Sequence, residues 1–82
     1  MENDSTAKPH VEMSQWVIYK HPRDYPDKFV MRRWNITAGM MMATEEMATA
    51  DTLSEIRKHV PPGLFRLARF EDDDPCIVEV WL

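Results

Sequence analysis

With 82 residues the chain has length for one domain and no more, and so small a core leaves little stability in reserve unless something reinforces it. Cys76 is the only cysteine, which excludes an internal disulfide; together with the lack of an apolar run long enough for a signal peptide or a membrane span, this reads as a cytoplasmic protein with no membrane partner. The formal net charge of −4 disfavours general nucleic-acid binding, which draws most of its affinity from neutralising phosphates, but the charge is segregated: residues 13–37 carry five basic and two acidic side chains, and residues 71–82 carry five acidic ones.

In chain order, "MENDSTAKPHVE" is polar and aperiodic, so residues 1–12 are expected to be a disordered extension of a single domain spanning 13–82. "WVIYK" (Trp16 to Lys20) and "KFVMRRWNI" (Lys28 to Ile36) are rich in aromatic and β-branched residues, and "HPRDYPD" between them carries turn formers, which predicts a β-hairpin with a long loop. "TAGMMMATEEMATAD" offers helix formers, but its apolar residues are contiguous, so residues 38–51 are expected to be a flexible connection with one helical turn at most.

In "TLSEIRKHVPPG", Thr52 and Glu55 form a capping box, Leu53, Ile56 and Val60 share one face, and Pro61-Pro62-Gly63 ends the helix. "LFRLARF" (Leu64 to Phe70) and "CIVEVWL" (Cys76 to Leu82) read as two further strands, joined by the acidic run "EDDDP". Asp residues bond nearby backbone N–H groups and Pro75 opens a strand without needing a donor, so the run reads as a solvated turn. Its spacing lacks the alternating ligands and the glycine of a calcium loop. The predicted fold is α+β: a small two-layer β-β-α-β-β domain, a mainly antiparallel four-stranded sheet with one amphipathic helix on one face.

The blocks "DYPDKFVMRRW" and "DDPCIVEVW" resemble a group of short uncharacterised bacterial proteins that share a DYPxxFVxRxW block near the front and a DDPxIVEVW ending. The resemblance implies the two-hairpin layout. It brings no activity, ligand or catalytic residue with it.

The inventory for chemistry is thin. Cys76 alternates with Val78 and Val80 and reads as a small buried hydrophobe, with no base beside it to make a nucleophile. His10, His21 and His59 have no metal-pair spacing, and two glycines cannot build a phosphate-cradling loop. No metal, no cofactor and no enzymatic activity are expected.

What remains is surface. Counting alternate positions from Cys76 places Cys76, Val78, Val80 and Leu82 on one face of the last strand, with Ile77, Glu79 and Trp81 on the other. In the second strand Val30, Arg32, Trp34 and Ile36 lie opposite Phe29 and Met31. If the helix covers one side of the sheet, the other presents Trp34, Trp81, Arg32, Glu79, Val30 and Ile77 to a partner. That face is open to solvent, covered by residues 1–12 or 38–51, or shared in a homodimer. The expected function is a non-enzymatic module that binds a surface of a larger protein partner, in one form an inhibitor or regulator encoded by a phage or mobile element. The alternative is a small nucleic-acid-binding protein that stacks bases on sheet aromatics and neutralises phosphates with Lys28, Arg32, Arg33, Arg66 and Arg69.

Overall fold

The computed structural model describes residues 13–68 and 74–82. They form β1 (Met13–Lys20), β2 (Phe29–Thr37), β3 (Met40–Ala50), α1 (Leu53–Arg57), β4 (Arg66–Ala68) and β5 (Ile77–Trp81). All five strands belong to one antiparallel sheet in the order β3-β2-β1-β5-β4.

The expected four-strand count is therefore corrected to five. The methionine-rich stretch read as a connection with a helical turn is the 11-residue strand β3. Methionine, alanine and glutamate favour helix in isolation, but strand preference is set largely by pairing and packing context, and β3 is laddered onto β2 along both of its ends. The reversal between them is a two-residue turn in which Ala38 and Gly39 both have positive φ, 50° and 79°. That handedness suits the twist of a hairpin. Halfway along, the single residue Arg33 faces three residues of β3, Thr44 to Glu46, so the ladder breaks. Thr44 repairs it: its hydroxyl donates to the Arg33 carbonyl at 3.0 Å and accepts from the Glu46 N–H at 3.1 Å.

The β1–β2 hairpin follows the sequence closely. Its loop holds a turn from Pro22 to Tyr25, and the His21 N–H closes it on the Lys28 carbonyl at 2.9 Å. Helix α1 is capped as expected, with Thr52 Oγ1 accepting from the Glu55 N–H at 3.1 Å. Ile56 is fully buried with Ile18 of β1 and Met31 of β2, and Leu53 and Val60 pack around that cluster. The helix thus lies against β1, β2 and β3 on one face of the sheet.

Before β5, Asp74 does what turn chemistry asks of it. Its carboxylate accepts from the Cys76 N–H at 2.9 Å and its carbonyl accepts from the Ile77 N–H at 2.9 Å. Cys76 sits half-buried in this turn and not on the strand's apolar face. The extension at 1–12, Arg69 and the acids Glu71 to Asp73 lie outside the described residues.

Candidate functional site

Strand register decides which side chains meet, because residues directly opposite in an antiparallel ladder share a face. On the helix side one cross-strand row runs Arg33, Trp16, Trp81, Arg66, and the next runs Ala48, Met31, Ile18, Glu79, Ala68. The opposite, open face carries four rows: Met41–Ile36–Met13, Ala43–Trp34–Gln15, Met47–Arg32–Val17–Val80–Leu67 and Thr49–Val30–Tyr19–Ile77.

This separates the six candidate partner-binding residues. Trp34, Arg32, Val30 and Ile77 are on the open face, whereas Trp81 and Glu79 are on the helix face. The reason is a bulge in β5. Ile18 pairs with Glu79 but Tyr19 pairs with Ile77, so Val78 is an extra residue with no partner in β1. One inserted residue inverts the alternation beyond it, which turns Glu79 and Trp81 inward with Val78 and leaves Val80 beside Val17 on the open side.

Glu79 can be buried there because its charge is fully engaged. It is 3% exposed, and Arg57 of α1 donates to both carboxylate oxygens, at 2.8 and 2.9 Å. The Trp81 indole N–H donates to Oε1 at 3.1 Å, and Arg66 stands 3.7 Å from Oε2. The Arg57 guanidinium, helped by Trp81, holds the Glu79 carboxyl below the usual carboxylate range against the opposing effect of burial. Glu79 and Trp81 thus fasten the helix to the sheet. A second polar cluster nearby joins Arg33, Glu46 and Trp16: Arg33 donates to Glu46 at 3.1 Å and lies over the Trp16 ring, 5.4 Å from its centre.

The open face has the opposite character. Among its described, register-placed residues Arg32 is the sole charge, and it is half-buried against Met47, with Nη2 3.5 Å from the sulfur. A groove of about 350 Å³ crosses this face, floored by Val17 and Val80 and walled by Trp34 and Met41 on one side and Leu67 on the other. Gln15, Tyr19 and Ile77 complete the lining on this face, and Ala68, next to Leu67 on the edge strand, closes one end although its side chain belongs to the helix-side row. The Trp34 indole N–H donates to the Tyr19 hydroxyl at 3.1 Å, which fixes both rings, and burial pushes the Tyr19 phenol above its ordinary pKa. Trp34 and Ile77 therefore line the groove, Arg32 flanks it, and Val30 is buried beneath its neighbours.

Sequence reasoning missed Val17, Tyr19, Met41, Leu67 and Val80. Alternation in "WVIYK" carried the signal for Val17 and Tyr19, Met41 was hidden by its helix-forming neighbours, and Val80 was assigned to the wrong face by the bulge. Leu67 and Met41 are 41% and 50% exposed, high for large apolar side chains.

Among the described residues, the titratable groups outside these clusters are dispersed. His21 and His59 are exposed on separate loops. The Cys76 thiol is pushed above its ordinary pKa by desolvation and then by the Asp74 carboxylate, which keeps it protonated. Among the described residues no three His, Cys, Asp or Glu side chains gather as metal ligands, and no helix is long and apolar enough to cross a membrane. No family model matches the chain, and neither a curated protein nor a solved structure matches it.

Proposed function

We propose that this protein is a small non-enzymatic protein-binding module in a two-layer arrangement, with the helix on one side of the sheet and the binding face on the other. The observation that carries the reading is the contrast between the two faces. Among the described residues, paired charges are concentrated on the helix side, and the open side offers an apolar groove flanked by Arg32, the one charge that the strand register places there. A patch of that kind suits the apolar side chains of a protein partner.

The same charge distribution weighs against a nucleic-acid role. Stacking on Trp34 and Tyr19 would need cations tracking the backbone on that face, yet Arg33 and Arg66 are on the helix side, and Lys28 is bonded to Asp51.

Selection of displayed peptides on the immobilised chain tests the reading. Selected peptides should shift the amide resonances of Val17, Trp34, Leu67 and Val80, and Leu67→Glu should weaken them at least about tenfold, one decade being about 1.4 kcal/mol. Shifts confined to the helix side, or binding only to single-stranded DNA or RNA with a steep salt dependence, would refute it.

A further inference from the structure

We infer that the protein taken up by the open face is a second copy of this chain, the two sheets packing face to face about a twofold axis. The inference rests on the reading of that face as a docking surface, and adds the partner's identity.

Three observations lead to a second copy. First, the described core is very small: only Val17, Ile18, Val30, Met31 and Ile56 are buried hydrophobics. Two of these, Val17 and Val30, belong to the open face, so the apolar layer there is half built. A matching layer would complete it, and a second copy is the partner whose supply rises with the protein itself.

Second, the area suffices. Five strands at about 4.8 Å spacing and four rows about 6.8 Å apart give a face of roughly 20 by 25 Å, hence about 1,000 Å² buried over two copies. That is the lower bound for a specific interface and places the dimer in the weak, reversible class.

Third, charge permits it. Each copy carries −4, but the two acids that their partners place, Glu46 beside Arg33 and Glu79 beside Arg57, face the helix side, and Arg32 is the one charge that the strand register puts on the open face. The row Met47–Arg32–Val17–Val80–Leu67 crosses all five strands, with its charge next to one edge and Leu67 at the other. An antiparallel stack about the twofold therefore sets each Arg32 toward the apolar end of the facing row, away from the other Arg32.

Sedimentation equilibrium of the full chain from about 1 to 500 µM tests this, a range that covers weak, reversible association. The mass should rise from 9.7 kDa toward twice that value. Leu67→Glu and, at the opposite wall, Met41→Glu should each weaken association about 100-fold or more, since each places a carboxylate inside the interface. Met42→Gln, a 54% exposed position on the other side of β3, should leave it unchanged. Far-UV circular dichroism confirms that each variant is folded.

A monomer at 500 µM overturns the inference, as does a dimer that Met42→Gln weakens and neither open-face variant affects. If that monomer shows nuclear Overhauser contacts from residues 1–12 to Val17 or Val80, the face belongs to the chain's own N-terminal segment. If it instead binds selected peptides there, the module reading stands and only the second copy falls. A monomer that binds nothing on this face removes both.

Discussion

Replacing Glu79 with glutamine tests the claim that one inward-facing carboxylate fastens helix to sheet. In the native chain the group is 3% exposed and receives two charge-assisted hydrogen bonds from Arg57 and one from Trp81. Glutamine keeps the shape and one acceptor but loses the charge. Hydrogen bonds to charged groups contribute about 1.5–3 kcal/mol. The Arg57 side chain is 41% exposed and can turn to water. That holds the cost below the roughly 3–5 kcal/mol typical of stranding a buried charge. A loss of about 2 kcal/mol is expected, or about 8–16 °C in Tm for a domain of this size. Acid adds a second signature. Because Arg57 depresses the carboxyl's pKa in the folded state, the unfolded chain takes up the proton first as pH falls. The pair therefore contributes fully above the ordinary carboxylate value of about 4.3 and is lost as pH drops through the lower folded value. Urea titrations followed by circular dichroism at pH 7 and stepwise to pH 3 should show the native protein and Glu79→Gln far apart at neutral pH and converging in acid. A variant melting within about 2 °C of native at pH 7, well under the expected shift, or a gap that stays constant into acid, would refute the reasoning.

Three further outcomes are expected. Thr52→Ala removes the hydroxyl that accepts from the Glu55 N–H and should cost about 1 kcal/mol, read as a Tm lower by about 4–8 °C. Ala38→Asn should raise stability by about 0.5–1 kcal/mol in thermal denaturation, because Ala38 holds a left-handed φ of 50° ahead of Gly39, and asparagine-glycine suits that turn better. Deleting Trp81 and Leu82 removes a residue packed on the core, its bond to Glu79 and the Phe65–Leu82 backbone pair. The loss of at least about 3 kcal/mol from a total near 5 should leave a large unfolded fraction by circular dichroism, with amide protection lost at Val78 to Val80.

Local chemistry fixed the elements that can be read in the sequence. Thr52 and Glu55 cap a helix wherever the chain places them, because the bonds they make lie within one turn. Prolines and aspartates break the chain at His21 to Asp27, and Asp74 satisfies its own neighbours' N–H groups at the start of β5. Alternation in β2, where the register with β1 is unbroken, placed Phe29 and Met31 on the core side and Trp34 on the other. Tertiary structure decided the rest. β3 is a strand because β2 supplies a ladder for it, a long-range gain that outweighs the helix preference of methionine, alanine and glutamate. The side on which Trp81 and Glu79 lie was settled by a single unpaired residue, Val78, since a period of two carries no record of an insertion until the partner strand is in place. Glu79 reads in sequence as a solvent-facing charge, and it is buried because Arg57, 22 residues earlier, arrives from the helix to neutralise it.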